Sequence, residues 1–149
     1  FVHNRFDDQY ISTIGVKVSR KSVVLPHQEA VVEVNLMIWD LAGGQQAATV
    51  ATSYLRGASG AILACDLTRA ESLPTIEHFA KVLLQVMPKA QLMIAANKLD
   101  LTEQHQISAE QVAACAAQLN APYYLTSAKV GDAVDQAFRH LATLLLQQV

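Results

Sequence analysis

Apolar and polar positions alternate along the first third of the chain. Residues 31–39 alternate strictly, which predicts a half-buried strand, and a similar stretch lies at residues 16–25. The turn-rich residues 26–29 separate the two stretches. We therefore expect an antiparallel hairpin in this region.

Three later apolar stretches have almost no polar residue within them. They lie at residues 60–65, 91–96 and 122–125. Such stretches are typical of parallel strands that are covered on both faces. They are separated by helical patterns, so strands and helices alternate along the chain.

Helical spacing of apolar residues predicts the helices between and after these strands. One helix is predicted over residues 75–87 with Ser72 as its N-cap, and Ser108 with Gln111 matches a capping box before a second helix. The apolar stripe of the last helix contains Val134, Ala137, Phe138, Leu141 and Leu145. The order predicts a single α/β domain over residues 1–149. Its sheet is expected to be mixed and mostly parallel, with one antiparallel edge strand and helices on both faces.

Composition limits the classes of function. Of the 149 residues 52% are hydrophobic and 16% charged, and the net charge of −2 gives no general attraction for nucleic acid. No apolar stretch is long enough to cross a bilayer. Cys65 and Cys115 lie in apolar contexts, which favours free thiols and an intracellular, cytoplasmic location. The five histidines form no metal-ligand pattern and are interpreted as surface residues.

Polar residues follow the predicted strands. Asp40, Asp66, Asn97 and Ser127 each stand at or just after the end of a strand. In open α/β sheets, ligands bind at the carboxyl ends of the strands. We therefore expect a binding site at this edge.

The tetrapeptide N-K-L-D at residues 97–100 has the chemistry to read a guanine base. The carboxylate of Asp100 can accept the two adjacent N–H donors of guanine, a pair that adenine lacks. Asn97 can hold the base and brace neighbouring loops, and the stem of Lys98 can lie over the ring while its charge stays in water. The following loop, Ser127-Ala128-Lys129, offers a backbone N–H for the guanine carbonyl, and Lys129 can cover the other ring face. The bland alternative is an ordinary Asn/Asp turn.

Five segments in order carry a recognisable pattern. They are FDDQYISTIGV at residues 6–16, WDLAG at 39–43, SYLRGA at 53–58, NKLD at 97–100 and TSAK at 126–129. Together they resemble the Ras superfamily of small GTPases, and the Rab branch most closely. Leu41 stands where the family usually has Thr.

The resemblance implies roles for residues outside the base-reading loops. Phe6 would pack edge-on against the guanine. Thr13 would bind Mg²⁺ and contact the γ-phosphate, Asp40 would hold Mg²⁺ through water, and the N–H of Gly43 would sense the γ-phosphate. Simple strand, core or turn roles are the alternatives for each. The implied cofactors are GTP or GDP with Mg²⁺.

The phosphate-binding loop of the family, G-x-x-x-x-G-K-[ST], has no match in the chain. A fold without the strand before that loop would leave two apolar sheet edges bare. We therefore expect the sequence to be an N-terminally incomplete portion of a longer chain. The alternative is a pseudo-GTPase, an interaction module without a working phosphate site.

The usual catalytic glutamine is displaced. The family has A-G-Q, in which the Gln orients the attacking water, whereas here the sequence is Ala42-Gly43-Gly44-Gln45. By register, Gly44 occupies the catalytic position, and Gln45 could act only if the loop shifts. The resemblance thus implies a Rab-like switch with slow GTP hydrolysis.

Partner proteins are expected on the switch surface. In the family, effectors, exchange factors and GTPase-activating proteins read this region, which here surrounds Ile14, Gly15, Trp39 and Leu55. The last residues contain no cysteine for prenylation. A peripheral membrane location would therefore need an anchor not seen in this sequence.

Overall fold

The computed structural model describes residues 15–41 and 53–148. The strands are β1 (Val16–His27), β2 (Ala30–Leu41), β3 (Gly60–Asp66), β4 (Gln91–Asn97) and β5 (Tyr123–Leu125). The helices are α1 (Ser72–Val86), α2 (Ala109–Gln118) and α3 (Val134–Leu146), with a short 3₁₀ helix at Thr102–Gln104. No helix in these two ranges is long and apolar enough to span a membrane.

The first two strands form the expected antiparallel hairpin. They pair from Val16 opposite Leu41 to His27 opposite Ala30. The turn is only two residues long, and Gln28 takes a φ of 52°, as tight hairpin turns require. The prediction of a four-residue turn was wrong, because Pro26 and His27 continue β1.

The remaining strands form a parallel sheet in the order β3-β4-β5. One face is covered by α1 and α2, whose buried side chains join those of the sheet in the main core. The other face carries Met93, which packs with Ala137 and Leu141 of α3. Helices on both faces of the sheet are therefore confirmed. β4 is almost continuously apolar because both of its faces are covered, whereas Ala64 of β3 is exposed.

The hairpin packs against α3. Val23 and Leu25 are buried with Ala142 in a small core of their own. Nη2 of Arg139 donates a hydrogen bond to the carbonyl oxygen of Val24 at 2.7 Å. The described strands thus form two sheets, a two-stranded antiparallel sheet and a three-stranded parallel sheet. Both sheets pack against α3.

The N-termini of α1 and α2 can be compared with the caps predicted from the sequence. The capping box of α2 is confirmed: the N–H of Gln111 donates to Oγ of Ser108, and the N–H of Ser108 donates to Oε1 of Gln111. The cap predicted for α1 was wrong. Its N-cap is Glu71, and Ser72 is the first helical residue. The hydroxyl of Ser72 instead bonds the backbone of Asp66, at the end of β3.

The two cysteines lie in the main core. Cys65 and Cys115 are free, and each is 3% exposed. Burial raises the pKa of the Cys65 thiol to about 11, with a smaller contribution from Cys115. Because the thiolate is the reactive form, Cys65 acts here as a small apolar core residue.

Candidate functional site

The ends of the three parallel strands meet at one edge of the sheet, as expected. Asp66, the last residue of β3, pairs with Asn97, the last residue of β4. The N–H of Thr126 donates to the carbonyl of Ala96 at 2.8 Å, which brings the adjacent Ser127 to the same edge. Asp40 lies apart from this group, exposed in the hairpin and opposite Lys17.

The 97–100 segment turns sharply after β4. Lys98 adopts a left-handed backbone with φ of 68°, which is uncommon for a residue with a side chain. The N–H of Leu99 donates to the carbonyl of Thr126 at 2.9 Å, and Leu99 packs against the main core. The turn therefore directs Leu99 towards the main core and leaves Asp100 exposed to solvent.

A hydrogen bond joins the 97–100 segment to the loop at residues 126–129. The hydroxyl of Ser127, a residue only 1% exposed, donates to Oδ1 of Asp100 at 2.5 Å. This bond is the main reason that the pKa of Asp100 lies below its ordinary value, and Lys129 and His105 lower it further. A carboxylate has about four acceptor positions, so Asp100 keeps capacity for two more donors.

Asn97 braces the same two loops. Its Oδ1 accepts the N–H of Ala128 at 3.0 Å and the hydroxyl of Thr126 at 3.3 Å. The sequence predicted that a backbone N–H of the 127–129 loop serves a guanine carbonyl, and the Ala128 N–H of that loop is already engaged in this structure. A carbonyl placed there would share it with Asn97.

The loop after Ser127 is closed on itself. Ser127 and Asp132 exchange two backbone hydrogen bonds of 3.0 and 3.1 Å. Between them, the N–H of Val130 donates to Oγ of Ser127 at 3.3 Å, and Gly131 has a φ of 75°. The exposed Ala128 and Lys129 are thus presented on a short, hydrogen-bonded loop.

Two side chains that were given no specific role from the sequence hold Lys98. Its Nζ lies 2.6 Å from Oδ2 of Asp66, so its charge has an anionic partner instead of water alone. Nε2 of His105 lies 3.1 Å from the Lys98 carbonyl oxygen. His105 is half-buried at the surface, as His27 and His140 are. The position of Asp66 at a strand end was the available signal for its role.

Burial and hydrogen bonding act in opposite directions on Asp66. Partial burial raises its pKa, but the bonds from Lys98 and Thr68 outweigh that effect and hold the pKa below its ordinary value. The carboxylate is therefore the form that this edge of the sheet stabilises.

Several predicted site residues lie outside the described ranges: Phe6, Thr13, Ile14, Gly43, Gly44 and Gln45.

Three residues of the predicted partner surface are described. Gly15 precedes β1 with a φ of 81°. Trp39 is 49% exposed, and its ring centroid lies 6.0 Å from that of Tyr54. Leu55 is half-buried and packs against the main core.

The described residues at this edge of the sheet are better suited to binding a guanine base than to binding a metal ion. An ionised, exposed and fixed carboxylate at Asp100 is what two adjacent N–H donors require. Of the residues assigned to Mg²⁺, Asp40 alone is described. Within residues 15–41 and 53–148, no group of three or more His, Cys, Asp or Glu side chains could hold a metal ion.

Comparison with known proteins identifies the family. The Ras family profile matches residues 1–147. The chain is 37% identical over 147 residues to Ras-related protein Rab-1C of Dictyostelium discoideum, covering 96% of this chain and 70% of that protein. It is 32% identical over 149 residues to Ras-related protein SEC4 of Candida albicans, covering 99% and 69%. The SEC4 protein of Saccharomyces cerevisiae is 33% identical over 150 residues, covering 100% and 67%.

The chain belongs to the Ras family. Within the Ras superfamily it is a Rab-like small GTPase. The α/β fold, with a parallel triple of strands and an antiparallel pair, is consistent with that class.

Proposed function

We propose that this chain binds GTP and GDP and acts as a Rab-like molecular switch. The observation that carries the proposal is the Asp100 carboxylate, which is exposed, fixed by Ser127 and stabilised in its ionised form. Asp100 would accept the ring N–H and the exocyclic amine of guanine. Adenine would leave this carboxylate without those donors, and such a mismatch is strongly rejected.

The neighbouring groups would complete recognition of the base. Asn97 holds the 126–128 loop against β4, so the N–H of Ala128 is placed near the end of the strand. That N–H would donate to the guanine carbonyl. The stem of Lys98 would lie over one face of the ring, and Phe6 and Lys129 would contact its other sides.

The phosphate end of the nucleotide would control the switch. The resemblance assigns Thr13 and the N–H of Gly43 to the γ-phosphate, and contacts of that kind order switch segments until the phosphate is lost. Thr13 would hold Mg²⁺ directly and Asp40 would hold it through water. When bound, the ion neutralises phosphate charge.

Hydrolysis is proposed to be slow because Gly44 has no side chain to orient water. A GTP state that decays slowly would leave the switch dependent on a partner protein for turnover. We place those partners on the surface around Ile14, Gly15, Trp39 and Leu55. As a Rab-like switch, the protein would act in vesicle trafficking, in the cytoplasm and at membrane surfaces.

Identification of the bound nucleotide tests this proposal against the pseudo-GTPase alternative. The protein is purified at its full natural length, denatured, and the released nucleotide is separated by chromatography. The proposal expects GDP or GTP near one per chain. An empty protein that also fails to bind added GTP with Mg²⁺ would support the interaction module instead.

A further inference from the structure

The charged end of Lys98 is held by an acid from the neighbouring strand. Its Nζ lies 2.6 Å from Oδ2 of Asp66. Asp66 ends β3 opposite Asn97, and Lys98 is the next residue along the chain. The ion pair therefore follows from the register of two adjacent parallel strands.

Asp66 is itself fixed by the segment that follows it. Its Oδ1 accepts the N–H of Thr68 at 2.9 Å and the Thr68 hydroxyl at 2.6 Å. The N–H of Asp66 donates to Oγ of Ser72 at 3.0 Å. The Asp66 side chain is only 20% exposed. A carboxylate with these contacts is a rigid anchor for a cation.

The backbone of Lys98 is fixed as well. Its carbonyl oxygen accepts the N–H of Leu101 at 3.0 Å and lies 3.1 Å from Nε2 of His105. Both ends of the residue are thus held, and the aliphatic stem spans the space between them. This stem is the part that would cover the base.

We propose that Asp66 is a positioning residue for the nucleotide base, which keeps the stem of Lys98 in place over the ring by holding its ammonium group. The inference rests on the proposed guanine-nucleotide binding. A lysine side chain that must be ordered during binding weakens affinity, because its rotamer freedom is lost at that moment. Asp66 orders this side chain before the base arrives.

A double-mutant cycle tests this role. Dissociation of a fluorescent GDP analogue is timed for the full-length protein, for Asp66→Asn, for Lys98→Met and for the double variant. We expect Asp66→Asn to speed dissociation about fivefold when Lys98 is present and to change nothing in the Lys98→Met background. Where dissociation is too fast to time, equilibrium competition completes the same cycle.

Glu71→Gln is the matched control. Glu71 is an exposed acid five residues further on, and its ion pair with Arg69 measures 2.8 Å. Its loss should leave dissociation unchanged. Should Asp66→Asn not fold, Asp66→Glu replaces it, since it displaces the carboxylate while keeping the charge, and the same dependence on Lys98 is expected.

The outcomes separate this inference from the proposed function. An equal effect of the Asp66 substitution in both backgrounds, or no effect in either, overturns the positioning role while guanine-nucleotide binding stands. A full-length protein that binds no guanine nucleotide overturns the proposed function and this inference with it.

Discussion

Ser127 donates its hydroxyl hydrogen to Oδ1 of Asp100 at 2.5 Å, across 27 positions of sequence. The bond joins the loop after β4 to the loop after β5. It fixes the carboxylate and favours its ionised form. The position of the carboxylate that we propose reads the base therefore depends on a residue that is itself almost fully buried.

Replacing Ser127 with alanine should weaken nucleotide binding. Without the hydroxyl, Asp100 loses its fixed orientation, and we expect GDP to dissociate about tenfold faster, as is typical when a bond to a charged group is lost. Stopped-flow fluorescence with a labelled GDP measures the rate. Ser108→Ala, which removes the α2 cap far from the site, serves as the control. Equal dissociation rates in the two variants would contradict the role of Ser127.

Restoring a glutamine at position 44 should increase hydrolysis. The side chain of Gly44→Gln could orient the attacking water, so single-turnover phosphate release should become at least about tenfold faster. Gln45→Ala distinguishes the alternative, in which a shifted loop uses the neighbouring glutamine. If Gln45→Ala abolishes hydrolysis and Gly44→Gln changes nothing, Gln45 is the catalytic residue.

The Asp66–Lys98 pair should contribute a pH-dependent part of stability. The pKa of Asp66 in the folded protein lies below its ordinary value of 3.8, so its contribution is present above that pH and is lost as pH falls through the folded-state pKa. The stability deficit of Asp66→Asn should therefore be largest near neutral pH and shrink below about pH 4.

Urea unfolding at several pH values measures this deficit. Glu103→Gln, which changes an exposed acid of the 3₁₀ helix, is the control. A deficit for Asp66→Asn that stays constant from pH 7 to pH 3 would show that the ion pair does not contribute.

Gly60 starts β3 where no side chain fits. A Cβ there would lie 2.9 Å from the carbonyl oxygen of Gln91 and 3.1 Å from Cδ1 of Leu141. Gly60→Ala should therefore lower the free energy of unfolding by about 1–3 kcal/mol, as for other overpacked cores. The adjacent, exposed Ser59→Ala adds no atoms and should change little in urea unfolding. Similar midpoints for both variants would mean that β3 and α3 move apart easily.

Local patterns were enough to predict the fold. Strict alternation over residues 31–39 predicted one strand of the hairpin, and the apolar stretches at 60–65 and 91–96 predicted two strands of the parallel sheet. These features can be predicted because each depends on only a few consecutive residues. Burial on both faces is observed for β4, whereas Ala64 of β3 is exposed. The prediction of Ser72 as the N-cap of α1 was wrong because a serine hydroxyl can form hydrogen bonds with the backbone at a helix end or at a strand end. Local sequence does not distinguish these two possibilities.

Residues proposed to contact the base could be chosen from the sequence, whereas the side chains that support them could not. Asn97 and Asp100 stood out because their spacing matches guanine chemistry. The bond of Asp66 to Lys98 depends on the register of β3 against β4, which no short pattern specifies. His105 likewise reaches the Lys98 carbonyl only because the 101–107 segment folds back against the residue that follows β3, where the N–H of Ile107 donates to the carbonyl of Leu67.

Exchange of the acceptor at Asp100, which we propose reads guanine, tests the proposed function most directly. Asp100→Asn offers one amide donor and one acceptor, which suits the carbonyl of xanthine better than the amine of guanine. Competition binding of GTP and xanthosine triphosphate to the full-length protein measures the preference, with Glu103→Gln as the matched control. We predict that Asp100→Asn alone reverses the preference to xanthosine triphosphate. An unchanged preference for GTP would show that Asp100 does not read the base.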